Sequence, residues 1–296
     1  MSKMAKKAIS ATYARKFESI FQCPVCGSSM QVVDLKSLVC SHNHTFDFAK
    51  QGYVNLLTRP TKTKYKKDLF QARRKLYAEG GFFEPLIRSI AKFIIKQASK
   101  KETVYVLDSG CGEGFHLSNV CEIVTAVGKT VTGVGVDLSK EGVAIASQHD
   151  SNKIWCVADL ARAPFKDKQF DVILNILSPS NYTQFNRLLK PNGFVLKVVP
   201  QNGYLKELRD AFFDEAEKQT YSNKGTVDRF QEAFPEFDRS RICYTMSLDQ
   251  SSIHSLVRMT PLAWRAPEER VRSFLEREAA DITVDLEILI GYKQPD

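Results

Sequence analysis

After Lys101 the chain alternates short runs rich in Val, Ile and Leu with stretches of helical spacing. VYVLD, VTGVGVD, IWCVAD, FDVILNIL and GFVLKVVP read as buried strands, and the segments between them suit crossover helices. That alternation predicts a parallel α/β sheet. ICYTMSL and ITVDLEILIGY look like two further strands around the helix APEERVRSFLEREA. The whole chain has 296 residues, 43% hydrophobic and 26% charged, which suits one large domain and one small one. No apolar run reaches the roughly 18–20 residues of a membrane span, and the start lacks the apolar stretch of a secretory signal. Seven cysteines, an odd number in a long chain, argue against a disulfide framework and for a reducing compartment, so a cytoplasmic location with no membrane partner is expected.

The regions before the sheet differ in character. Residues 1–20 form a basic extension carrying Lys3, Lys6, Lys7, Arg15 and Lys16 against Glu18. A cysteine-bearing module follows over 21–58. A basic linker with helices spans 59–100, and the sheet domain spans 101–296. The linker opens with Arg59, Lys62, Lys64, Lys66, Lys67, Arg73, Arg74 and Lys75 against the single acid Asp68. With a net charge of +8 and a pI of about 9.0, such a run favours a polyanionic partner and is suited to phosphates, which position a nucleic acid without reading its sequence. A solvated linker is the alternative.

Cys23-Pro24-Val25-Cys26 is followed after 13 residues by Cys40 and, after three more, by His44. A C-x2-C knuckle supplies two ligands from one tight turn and the second pair closes a tetrahedron, the spacing of a structural zinc site. His42 is the rival fourth ligand, but a single intervening residue makes a cramped loop, so His44 is preferred. A closed four-ligand site is structural and is given no catalytic role.

The sharpest motif is Val106-Leu107-Asp108-Ser109-Gly110-Cys111-Gly112-Glu113-Gly114-Phe115, an apolar strand running into a glycine-rich turn and a helix. A helix N-terminus with close backbone approach suits an anionic group. The spacing is G-x-G-x-G, not the G-x-G-x-x-G of a dinucleotide site. With Asp108 two residues before the first glycine, it resembles motif I of class I S-adenosylmethionine methyltransferases. Asp137 ends VTGVGVD, where a carboxylate can accept from both ribose hydroxyls. Asp159 ends IWCVAD and could face the adenine amino group. Both acids could instead be caps of the helices that follow. The turn LLKPNG before GFVLKVV is also typical of these enzymes.

Together, CPVC, the Cys40–His44 pair, FDFAKQGYVNLL, QARRKLYAEGGFFEPL, LDSGCGEG, GVDLSK and MTPLAWRA resemble the RlmA family, guanine-N1 methyltransferases of bacterial large-subunit (23S) ribosomal RNA. The resemblance runs from about Phe21 to the end. It implies a Rossmann-like class I methyltransferase domain behind a small N-terminal zinc-binding module that helps hold RNA, the whole paired as a homodimer. By motif position it implies that Gly112, Glu113 and Phe83 contact the cofactor, as do Gly110 and Gly114 of the same turn. Tyr204 stands where relatives place a histidine, and Asp159 where some carry a serine. The family has two branches that modify different guanines of one hairpin, and the residues quoted do not decide between them.

The methyl of a sulfonium is already activated, so the enzyme's task is mainly alignment. Guanine N1 carries a proton near neutral pH that must be removed. It also lies on the pairing edge, so the base must be unpaired or swung out. The acceptor base is expected beyond FDVILNIL, where Asn175 and Ser178 are candidates to hold its edge, with a plain strand-end turn as the alternative. Trp264 could stack on a base or lie in the core. Competing readings are a methyltransferase acting on another RNA or a small molecule, and a zinc-dependent RNA-binding protein whose cofactor fold is vestigial.

Overall fold

A computed structural model of the protein describes residues 3–61, 65–214 and 222–294. Lys62 and Lys64 of the basic linker lie outside the described residues. The elements in chain order are α1 (Lys3–Arg15), β1 (Met30–Val33), β2 (Ser37–Cys40), β3 (Thr45–Asp47), β4 (Val54–Asn55), α2 (Lys67–Gly80), α3 (Glu84–Gln97), β5 (Thr103–Ser109), α4 (Phe115–Ala126), β6 (Thr130–Asp137) and α5 (Lys140–His149). There follow β7 (Ile154–Val157), β8 (Phe170–Ile176), α6 (Tyr182–Leu188), β9 (Leu189–Pro200), α7 (Lys206–Phe212), α8 (Lys224–Ala233), β10 (Phe237–Asp249), α9 (Gln250–Met259), α10 (Glu268–Leu275) and β11 (Ala279–Tyr292).

The expected strands assemble into one sheet of order β10-β11-β9-β8-β5-β6-β7-β4. From β9 to β4 the pairing is parallel, while β11 runs antiparallel between β9 and β10. Two apolar layers cover the sheet. On β5, Val104 and Val106 belong to one and Leu107 to the other, the period-2 alternation of a strand buried on both faces. The winding reverses between β5 and β8, and at such a switch point the loops beyond the carboxyl ends diverge and leave a crevice.

β4, inside the 21–58 module, pairs parallel with β7 (Val54↔Cys156, Asn55↔Val157) and so forms the edge of the main sheet. The basic extension 1–20 carries the helix α1. Ala11 and Ala14 are fully buried in the layer that also holds Met30, Leu38, Val134 and Ile154. The helix thus joins the small three-stranded sheet β1-β2-β3 to the eight-stranded sheet. LLKPNG is not a free turn either. Its residues from Leu189 onward open β9 with a register shift against β8, and Asn192 carries the positive φ of 62°. α9 has no counterpart among the expected elements. It packs on α2 and is capped by Asp249, whose carboxylate accepts from Ser252 N at 2.8 Å.

Candidate functional site

At the carboxyl ends of the parallel strands lies a cavity of about 870 Å³. Its wall takes Gly110, Cys111 and Glu113 from the turn after β5, Asp137 and Leu138 after β6, Leu160 and Ala161 after β7, residues 176–181 after β8, and residues 197–200 of β9. α2 contributes Phe70, Arg73 and Tyr77, and residues 259–261 with Trp264 close one side.

The turn can take this path only with glycine. Gly110 has φ +88°, and a Cβ on it would stand 1.9 Å from Ser178 Oγ. Gly114 has φ +78°, and a Cβ there would meet the Trp155 ring at 2.4 Å. So Gly110 brings the loop after β8 against the turn, while Gly114 lets α4 start over Trp155.

Asp137 joins the turn to the next loop. One carboxylate oxygen accepts from Gly112 N at 2.9 Å and the other from Ser139 N at 2.7 Å. Each oxygen retains a second lone pair, and the residue lines the cavity, consistent with acceptance from ribose hydroxyls. Glu113 is buried, and burial pushes its carboxyl up to about 7 even though Arg73 opposes the shift. His116, beside Tyr77 (centroids 5.3 Å apart), is held neutral by burial, its pKa pushed down to about 3. Arg73 Nε, Glu113 Oε2 and His116 Nδ1 are all buried in the cavity wall without a hydrogen-bond partner. Buried polar atoms are rarely left so, and three around one glycine turn fit a polar ligand such as the aminocarboxypropyl arm of S-adenosylmethionine.

Not every expected contact is brought to the cavity. Asp108 is 1% exposed, lies beneath the turn outside the lining, and burial with the nearby Asp137 and Glu113 charges raises its carboxyl well above the usual range. Asp159 is exposed and caps the following short helix by accepting from Ala161 N at 2.8 Å, so the neighbouring Leu160 and Ala161 form the wall instead. Phe83 is fully buried behind the wall, its ring 4.8 Å from Tyr77 and 5.3 Å from His116, and it supports those rings without lining the cavity. Gly112 and Gly114 shape the turn from behind, whereas Tyr204 does line the cavity.

Asn175 is fully buried with both ends of its amide used. Nδ2 donates to the carbonyls of Ser109 (2.9 Å) and Pro179 (3.0 Å), and Oδ1 accepts from Ser180 Oγ (2.9 Å) and Lys197 Nζ (2.7 Å). It ties β8 to the glycine turn and leaves no group for a base edge, whereas Ser178 stays half-buried in the wall. Trp264 is not in the core. It is 49% exposed at the mouth, 5.9 Å from the Tyr65 ring. Arg73, counted from the sequence among phosphate-binding residues, turns inward because α2 packs that face over the cavity. Lys197 and His116 are among the wall residues that went unread. A lysine inside the apolar run GFVLKVVP was the visible sign of Lys197, but no local pattern marked His116.

The ligand atoms of Cys23, Cys26, Cys40 and His44 lie within 4.8 Å of one another. Tetrahedral zinc, with bonds of about 2.3 Å to sulfur and 2.0 Å to nitrogen, sets neighbouring ligand atoms roughly 3.5–3.8 Å apart. Cys26 Sγ stands 3.7 Å from Cys40 Sγ, and His44 Nδ1 stands 3.4 Å from Cys40 Sγ and 3.7 Å from Cys23 Sγ. His42 contacts Cys26 at 3.6 Å but bonds Ser28 Oγ at 3.0 Å, outside the cluster. Contacts with the Ser28 hydroxyl and backbone pull the Cys26 thiol down to about 5, favouring the thiolate a metal requires. The donor set fits zinc.

Known proteins share both features. A family model for the RlmA N-terminal zinc ribbon matches residues 21–67, and one for a methyltransferase domain matches residues 106–193. A Bacillus subtilis protein named as a 23S rRNA (guanine-N(1)-)-methyltransferase, YxjB, is 50% identical over 93% of this chain and 98% of its own. The 23S rRNA (guanine(748)-N(1))-methyltransferase of Streptomyces fradiae is 31% identical over 86% of this chain and 90% of its own. With its glycine turn at a topological switch point and a Cys3His cluster in front, the chain belongs to the RlmA family of S-adenosylmethionine-dependent methyltransferases.

Proposed function

We propose that the protein methylates N1 of a guanine in a hairpin of 23S ribosomal RNA, as a cytoplasmic homodimer. The observation that carries this reading is the build of the cavity. One end is walled by the glycine turn, Glu113 and Asp137, and the other is bordered by the exposed rings of Tyr65 and Trp264, which pack on each other and offer an aromatic face on which a flat base can stack. S-adenosylmethionine, when bound, supplies an electrophilic methyl group. The chain's part is to bind and align. Asp137 would accept from ribose hydroxyls, Glu113 and Arg73 would hold the polar arm, and Ser178 borders the space where the base enters.

RNA binding is supported by Arg59, Lys66, Lys67 and Lys75, all exposed, on the stretch of chain that follows the zinc module. The two halves are fixed to one another by α1 and β4, so a duplex held by the module would present its loop in a set direction. Dimerisation is supported by β10, an edge strand of 13 residues that is largely exposed. Among the described residues no helix is long and apolar enough to cross a membrane.

The deciding experiment is methyl transfer from labelled cofactor to 23S ribosomal RNA lacking the modification, with the site mapped by a reverse-transcription stop. One new stop at a guanine is expected, since a methyl on N1 blocks pairing. Transfer to small metabolites at an equal rate would reject the RNA reading.

A further inference from the structure

Lys197 sits in the middle of β9, opposite Asn175 of β8, and is 4% exposed at the cavity wall. Its Nζ stands 2.7 Å from Asn175 Oδ1 and 3.2 Å from the Ser178 carbonyl. Because Asn175 Nδ2 donates to two carbonyls, the end facing Lys197 is the acceptor oxygen. No carboxylate pairs with Lys197 among the described residues. β11 places Leu289 opposite it, and the charged group that bears on it is the Arg229 cation of α8. An ammonium carries three donors, whereas a neutral amine carries two N–H bonds and a lone pair. The two protein acceptors take two of the N–H bonds and leave the third position on nitrogen, a proton in the ammonium and a lone pair in the free amine, for the cavity.

We propose that Lys197 is the catalytic residue that takes the N1 proton of the bound guanine. The proposal rests on the reading of guanine N1 as the methyl acceptor. N1 forms its bond to the methyl carbon as the carbon–sulfur bond breaks, with that electron pair leaving on sulfur. The N1 proton passes to the Nζ lone pair, which becomes an ammonium and later loses the proton to solvent. Asn175 is the positioning residue, holding both Nζ and the turn after β5. Burial, with Arg229 adding to it, pushes the amine down to about 8, so the free base is accessible near neutral pH.

The test is single-turnover methyl transfer to an unmodified 23S hairpin across pH, with cofactor binding followed by calorimetry. In the wild type the rate should rise with pH through about 8. Lys197→Ala should lose about 10²–10⁴-fold in rate. Small primary amines should restore part of it in proportion to their free-base concentration. Lys197→Arg keeps a cation and its donors but cannot deprotonate, so it should be as slow while still binding cofactor. Both variants should lose the limb near 8, leaving only the rise from the guanine's own ionisation at higher pH. Transfer by Lys197→Arg within about tenfold of the wild type overturns the proposal. So does a wild-type profile without that limb, which stands as a check should Lys197→Ala fold poorly. A wild type that methylates no guanine N1 overturns the substrate reading and this proposal with it, a result distinct from normal transfer by Lys197→Arg.

Discussion

Arg73 Nη1 and Glu113 Oε2 stand 3.7 Å apart in the cavity wall, close enough for charge attraction and too far for a hydrogen bond. The pair is therefore engaged but unsatisfied, and a polar ligand can bond both groups. Glu113→Gln should weaken S-adenosylmethionine by about 1.5–3 kcal/mol, the worth of a hydrogen bond to a charged group, as read by calorimetry.

The same carboxylate sets a pH dependence. Burial raises it from an ordinary 4.5 to about 7. Between those values the folded chain holds a proton that the unfolded chain has lost, so this group's contribution to stability falls as pH rises through that window. Cofactor binding that uses the charged form should strengthen from pH 6 to 8 and release protons near 7. Calorimetry in buffers of different ionisation enthalpy measures both. Affinity flat over this range would remove Glu113 from the binding site.

Gly110→Ala should abolish cofactor binding. Its φ of +88° costs a side chain about 1–2 kcal/mol, and the overlap with Ser178 adds about 1–3 kcal/mol. Ser178→Gly in the same chain should recover the second part of the stability and not the first, which urea denaturation can resolve.

Cys26→Ser should release zinc and speed hydrogen exchange in β1, β2 and β3 while β5 to β9 stay protected. Cofactor affinity should remain within about twofold, since the cluster and the cavity share no residue. A stoichiometric metal content in this variant would reject the ligand set.

Trp264→Ala should weaken hairpin RNA binding by about 1–3 kcal/mol, with Trp264→Phe retaining most of it. Because the ring is 49% exposed, thermal stability should barely change. Fluorescence anisotropy reads the affinity. In the same assay, replacing Lys66 and Lys67 by alanine should flatten the salt dependence by about 0.7–0.9 for each phosphate these side chains neutralise. An unchanged slope would show that these lysines touch no phosphate.

What the linear text settled was whatever depends on near neighbours. Short runs rich in Val, Ile and Leu announced β5 to β9, since a strand buried on both faces is apolar residue by residue. The Cys23-x2-Cys26 and Cys40-x3-His44 spacings announced the metal cluster, because each pair sits on one short turn. The glycine turn announced the end of the cavity lined by Gly110, Glu113 and Asp137 for the same reason. Only the tertiary structure could decide which side chains from distant segments share a wall. It turned Arg73 inward, put Phe83 behind Tyr77, moved Asp159 to a cap and brought Lys197 to Asn175, 22 positions away in the chain. Those outcomes follow from strand order and helix docking, which hydrophobic packing over the whole sheet selects and no local spacing encodes.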